Sequence, residues 1–256
     1  MPTTSIIVAE TPLVNFCLRR ADDALILGHR LSEWSGKAPT LEVDLALSNI
    51  ALDLIGQARA LYGYAGELSG QTDDALAYLR DEHAYRNLLL VEQPNGDFAV
   101  TIARQVLFTA YADPFWRAMT RSTDATIAAI AAKAEKETSY HLRHASEWLV
   151  RLGDGTAESA RRAQAALARL WPLTGELFLC DATEDILIAS GVAVDLESLR
   201  PLWDQTLNTI LQRATLARPA DGWMQTGGRA GKHSEHLGYL LTELQFLARS
   251  HPGAAW

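Results

Sequence analysis

Cysteine is nearly missing from this chain, which has only Cys17 and Cys180 in 256 residues. Two thiols among apolar neighbours make neither a spaced disulfide framework nor a four-ligand zinc site. They read as small core residues of a protein in a reducing compartment. No uncharged apolar run approaches the ~20 residues of a membrane span. The opening MPTTSIIVAETPLVNF has no basic segment ahead of a long apolar one, so no secretory signal is expected. Excess basic charge is absent too: 23 Lys and Arg against 31 Asp and Glu leave a formal net charge of −8. That field repels nucleic acid and anionic membranes, and an anionic ligand would need a local basic patch. Strand-type alternation is almost nowhere, and no period of about 20–50 residues recurs, which removes sheets and solenoids. The expectation is a cytoplasmic protein with no nucleic-acid or membrane partner.

What the chain has is helical periodicity almost throughout, within an ordinary globular composition of 48% hydrophobic and 21% charged residues. Thr11 and Pro12, a cap followed by proline at the first helical position, open a helix to about Trp34. A second, long and rich in Leu, Ile and Ala, follows Pro39 and Thr40 and reaches about Leu68. Asp73 and Asp74 open a third that is expected to run to Glu92, where Gln93-Pro94-Asn95-Gly96 stops it. Asp97 caps a fourth to about Arg121, with a kink expected at Pro114. Ser122-Thr123-Asp124 starts a fifth, ending at Gly153-Asp154-Gly155. Further helices are expected at roughly 156–181, 183–190, 195–217 and 233–250. No low-complexity linker divides the chain. One all-α domain over residues 1–256 is predicted: a long-helix bundle with additional C-terminal helices around it.

Two features invite a metal reading. Asn49, Asp53 and Gln57 recur every four residues on the second helix, a narrow polar line among apolar residues that must be hydrogen-bonded or bind something. The stretch KETSYHLRHASEW (136–148) places Glu137 and His141 on one helical face. A carboxylate-bridged di-iron bundle needs a carboxylate on each of two helices and Glu-x-x-His on each of the other two. None of the seven histidines has Glu or Asp three residues before it. Glu137 is followed at that spacing by Tyr140, and Glu82 by Tyr85, and a phenol is mostly protonated near pH 7. The positions Asp53, Glu82, Tyr85, Glu137, Tyr140 and His141 therefore read as a vestigial metal site. Glu137–His141 remains open as an ion pair or hydrogen bond, or as an unusual ligand pair.

Other patterns fail a stricter test. The glycine-rich loop ending Gly231-Lys232-His233 lacks the first glycine and the Ser or Thr of a phosphate-binding loop, and no strand precedes it. A basic loop before a helix N-terminus can receive an anion, but an ordered surface or interface loop is the simpler reading. Ser234 and His236 lie close, but no nucleophile elbow surrounds them. The tryptophans Trp34, Trp116, Trp148, Trp171, Trp203, Trp223 and Trp256 are expected in core packing or a protein interface.

Four runs carry a family resemblance: LSEWSGKAPTLEVDLALSNIALDLIGQAR (Leu31–Arg59), RDEHAYRNLLLVEQPNGDFAVTIARQ (Arg80–Gln105), ETSYHLRHASEWLVRLGDGT (Glu137–Thr156) and TGGRAGKHSEHLGYLLTELQFL (Thr226–Leu247). The chain resembles the C-subunit family of ring 1,2-phenylacetyl-CoA epoxidases, multicomponent bacterial monooxygenases. The resemblance covers nearly the whole chain. It implies a ferritin-like fold related to the catalytic A-type subunit, without the di-iron centre found there. No cofactor is then expected in this chain, and di-iron is expected in its partner. The implied role is to bind and support that A-type subunit, which epoxidises the aromatic ring of phenylacetyl-CoA. An acyl-CoA contact through Ala84, Tyr85, Arg86 and Asn87 and through Asp185, Ile186 and Leu187 is also implied. The isolated chain is expected to self-associate, as a homodimer. A metal-dependent oxidase with unusual ligands, acting on its own, is the alternative, and a free-standing helical binding protein is a third.

Overall fold

The computed structural model describes residues 5–9 and 11–254; Trp256 lies outside them. Ten α-helices and no strand are found among the described residues: α1 (Pro12–Ser32), α2 (Leu41–Ser69), α3 (Asp73–Tyr78), α4 (Leu89–Glu92), α5 (Phe98–Met119), α6 (Ala125–Gly153), α7 (Ala157–Leu170), α8 (Ala182–Ala189), α9 (Arg200–Arg213) and α10 (Glu235–Ser250). The architecture is an all-α, ferritin-like bundle. No described helix is long and apolar enough to cross a membrane.

The starts of the long helices are chemical stops as well as periodic ones. Thr11, Thr40, Asp97 and Asp124 each accept a hydrogen bond from a first-turn amide, using the donors that a helix N-terminus leaves unpaired. Thr156 and Ser159 form a reciprocal capping box ahead of α7. Gly70 ends α2 at φ +73°, where a Cβ would be strained.

The four long helices make two hairpins, α1 with α2 and α5 with α6. The hairpins meet at an antiparallel α2–α6 seam, where Tyr64 donates to Asp124 near one end and Asp53 meets His141 further along. α7 and α9 cover α5 and α6, α8 covers α1, and α10 lies on α3. The Trp203 indole on α9 donates to the Leu107 carbonyl of α5 (3.0 Å), pinning that outer layer. Trp116, Trp171 and Trp203 are buried and Trp34 and Trp148 partly so, whereas Trp223 is 77% exposed.

Sequence and structure part in the third helix. The expected span from Asp73 to Glu92 breaks at Tyr78 into a 3-10 turn at Glu82–Ala84, extended residues, and the single α-turn of α4. The cause is long-range: buried carboxylates on α1 take two amides of this segment, so its backbone needs no helical partners there. Smaller differences follow the same logic. The span expected at 156–181 ends as α7 at Leu170 and continues as two 3-10 turns, and the span at 195–217 is α-helical over Arg200–Arg213. Pro114 lies inside α5 without ending it.

Candidate functional site

At the α2–α6 seam, Asp53, Gln57, Glu137 and His141 come together. Gln57 donates to Glu137 Oε2 at 2.9 Å, and His141 Nε2 lies 3.0 Å from Asp53 Oδ2. Lys133, one turn back on α6, is 3.4 Å from the other Glu137 oxygen. The polar line is thus a cross-helix hydrogen-bond network, with His141 and Gln57 buried and Asp53 and Glu137 at the solvent edge. Asn49 was expected on the same inward line but faces solvent, because the line drifts round α2 as it runs towards the N-terminus. Tyr140 is 38% exposed. Glu82 sits beside Gly238 of α10, and Tyr85 lies against Arg80 and Gln245, so neither joins the seam.

The bundle axis is filled. Phe108, Tyr111, Phe115 and Trp116 of α5 face α1, with Tyr111 stacked on Phe115 at a centroid distance of 5.7 Å. The Arg20 guanidinium lies 4.8 Å from the Phe115 ring centroid and donates to the Tyr111 hydroxyl at 3.1 Å. The space left between α1, α2 and α5 is about 20 Å³, room for one water. No group of three or more His, Cys, Asp or Glu that could hold a metal occurs among the described residues. The donor set does not fit a di-iron centre. Its two seam carboxylates already serve His141, Gln57 and Lys133, and the Arg20 cation stands among the α5 rings.

The densest chemistry lies along α1, around Arg19, Arg20, Asp22 and Asp23, all buried. Asp22 accepts from Arg80 and from the Tyr62 hydroxyl, and its Oδ2 accepts from the Arg86 amide at 2.7 Å. Asp23 accepts from the Leu88 amide and from Arg229. Arg19 and Arg20 both reach Glu184 of α8, and Arg19 also pairs with Asp181. Burial pushes the Asp23 carboxyl up from its ordinary value, against the pull of Arg229 and Arg20. Burial draws Arg80 down, but Asp22 outweighs it and the net direction is up.

Two further carboxylates organise the glycine-rich loop. Glu176 accepts from the Gly227 and Arg229 amides, and Glu92 from the Ser234 amide and from His233 Nδ1 at 2.8 Å. An internal carboxylate thus takes the Ser234 amide at the start of α10, and another holds two amides of the loop before it. The charged residues of α1 and Glu176 escaped the sequence reading, although RRADD (Arg19–Asp23) was visible as four charges in a mostly apolar stretch.

The two segments carrying the expected acyl-CoA contacts lie on opposite flanks of this charged network. Tyr85 is fully buried, donates to the Ala77 carbonyl, and stacks under Arg80 at 4.4 Å. Asn87, also buried, donates to Glu92. Ala84 and Arg86 are half-buried, and Arg86 donates to the His83 carbonyl. On α8, Asp185 and Ile186 are exposed and Leu187 is buried.

A fold this complete can be compared over its whole length. The sequence profile described as "Phenylacetic acid catabolic protein" matches residues 2–256. The chain belongs to that family. It is also 48% identical over 245 residues to the C subunit of the 1,2-phenylacetyl-CoA epoxidase of Escherichia coli (strain K12), a match covering 95% of this chain and 99% of the relative. The resemblance read from the four sequence runs therefore holds at the level of the family and of the named subunit. Phenylacetate catabolism is the setting.

Proposed function

We propose that this chain is the non-catalytic C-type subunit of a cytoplasmic 1,2-phenylacetyl-CoA epoxidase, and that it binds and supports a separate, catalytic A-type subunit holding the di-iron centre. The observation that carries this reading is the bundle axis. Arg20 and four aromatic side chains fill the space between α1, α2 and α5, and the seam carboxylates are spent on protein partners. The likeness to an epoxidase C subunit supports it over the whole chain. No step of oxygen chemistry falls to a residue of this chain. Its contribution is to hold the partner's helices in a productive geometry.

The acyl-CoA contact belongs to the same proposal in a narrower form. Of the two implied segments, Ala84, Arg86, Asp185 and Ile186 are reachable from outside, whereas Tyr85, Asn87 and Leu187 shape those segments from within. Arg86 is the side chain chemically suited to a phosphate or carboxylate.

Co-expression with an A-type subunit tests the reading. The expected result is a stable hetero-oligomer, epoxidase activity once a reductase is added, and no activity from this chain alone. Elemental analysis after iron-supplemented expression should find no stoichiometric iron in the isolated chain. About two irons per chain would favour the independent oxidase. An A-type subunit equally soluble and active by itself would remove the supporting role.

A further inference from the structure

Two pins hold the loop between α9 and α10 against the interior, and they differ in kind. Arg229 reaches inward to Asp23 and to the Arg19 and Arg86 carbonyls, while Glu176 accepts from the Gly227 and Arg229 amides. A guanidinium does not titrate in a folded protein, so this first pin is indifferent to pH. His233 is the second. Its Nδ1 lies 2.8 Å from Glu92 Oε2 and its Nε2 3.0 Å from the Tyr85 carbonyl oxygen, and its side chain is 0% exposed. Both partners are acceptors, and a carbonyl has no proton to give. A neutral imidazole carries one N–H and satisfies one of them, whereas the imidazolium donates to both. Glu92 cannot supply the missing proton. Its Oε1 takes the Ser234 amide at 2.6 Å and its Oε2 also takes the Asn87 side-chain amide at 2.9 Å. Three donors on one carboxylate hold it ionised.

The second pin holds residues 230–234 down on the 3-10 turn Glu82–Ala84. Gly231 lies there at φ +73°, and a Cβ on it would collide with the His83 carbonyl and stand 2.9 Å from the Arg86 guanidinium. Among the described residues, no charged group but Glu92 stands at either ring nitrogen. Asp22 of α1 adds its field to His233 but is paired with Arg80. Arg30 of α1 is taken up by the Glu92 and His236 carbonyls, and Arg86 donates to the His83 carbonyl. Glu82 lies beside Gly238 of α10, and Lys232 and Glu235 point to solvent. Burial alone would favour the neutral ring, but Glu92 and the Tyr85 carbonyl outweigh it.

Loss of the His233 proton turns a bare nitrogen lone pair on the Tyr85 carbonyl or on Glu92. Either contact is then repulsive in a buried place, where an unmade hydrogen bond is costly. Arg229 and Glu176 still hold residues 227–229, so what comes loose is the stretch after them. The fastened and loose states of that stretch differ by one proton, which is what a pH-dependent switch requires.

We propose that His233 is a proton-operated clasp: its imidazolium fastens residues 230–234 over the 83–86 turn, and deprotonation releases that stretch while Arg229 keeps the rest of the loop in place. The inference is independent of the functional reading above. Hydrogen exchange on the full native chain, corrected for the intrinsic pH dependence of amides, reads it directly. The amides of Ala230, Gly231, Lys232 and Ser234 should lose protection about tenfold per pH unit above about pH 6.5, levelling off once the folded His233 value is passed. The Gly227 and Arg229 amides and those of α5 should not follow. Nitrogen NMR of the histidine rings should find both His233 nitrogens protonated at about pH 6. His233→Gln should exchange at the released level at every pH. His83→Gln and His236→Gln, which leave the clasp intact, should keep the natural profile. Where the His233 variant fails to fold, the natural chain's profile and ring protonation still decide. Protection indifferent to pH, a loss shared by the whole chain, a pH profile that survives His233→Gln, or a neutral His233 ring at about pH 6 would each overturn the proposal.

Discussion

Replacing Asp22 with Asn isolates the charge that holds the irregular third segment. Asp22 is 0% exposed and Arg80 1% exposed, and the carboxylate accepts from both terminal nitrogens of Arg80, from Tyr62 and from the Arg86 amide. Asn keeps the shape, so no cavity term enters. What changes is that a buried guanidinium loses its counter-charge, a loss of about 3–5 kcal/mol. Against a total stability of about 5–15 kcal/mol this is severe. For a chain of this length it corresponds to a fall of roughly 10 °C in unfolding midpoint. Urea unfolding followed by circular dichroism, at fixed protein concentration, measures it. Hydrogen exchange should locate it, with protection lost first at the Arg86 and Leu88 amides. Arg80→Met in the Asp22→Asn background should recover part of the loss, because it removes the orphaned cation. A cost below about 1 kcal/mol, or single effects that simply add, would refute the reasoning.

Two further perturbations probe the neighbouring pairs. Burial pulls His233 down, but its hydrogen bond to Glu92, the Glu92 charge and the Tyr85 carbonyl outweigh that and raise it. Its stabilisation is therefore complete below the unfolded value near pH 6.5 and is lost as pH rises through the raised folded value. The stability gap between the natural chain and His233→Gln should shrink as pH rises above about 6.5, and a pH-independent gap would contradict the pairing. Asp53→Ala removes a partly exposed carboxylate from His141, so unfolding should cost about 1 kcal/mol less at most, with bound iron unchanged. A loss above about 3 kcal/mol, or any change in iron, would show that the seam does something other than hydrogen-bond.

The main bundle was legible because its signals are local. Threonine or aspartate caps ahead of Pro12, Leu41, Phe98 and Ala125, followed by unbroken periodicity, set four helix starts that the structure keeps. That Asp53 and Gln57 need partners was legible too, since residues four apart on one face must find them when that face is buried. Asn49 was misplaced because a spacing of four drifts round a 3.6-residue turn. The third segment failed for a different reason: the residues that unwind it, Asp22 and Asp23, lie some 60 positions away in sequence. No window over 73–92 contains them. The charged network was missed because its carboxylates and their partners come from α1, α8, α4 and the loop before α10. The sign that something unusual happens on α1 was nevertheless present in RRADD.

That network also decides which surfaces remain free. α1 is buried almost all round, since α8, the 79–92 segment and the loop before α10 cover the side that faces away from the bundle. α5 is likewise enclosed by α6, α7 and α9. Covering these helices requires irregular backbone, and irregular backbone must have its amides satisfied. Asp22, Asp23, Glu92 and Glu176 supply those acceptors from inside. Of the four long helices only α2 and α6 keep a long outward face, and on α2 that face carries exposed leucines and glycines with room around them. The buried ion pairs of α1 thus shape that surface indirectly, by holding the irregular segments that cover α1 and leaving the outward faces of α2 and α6 open.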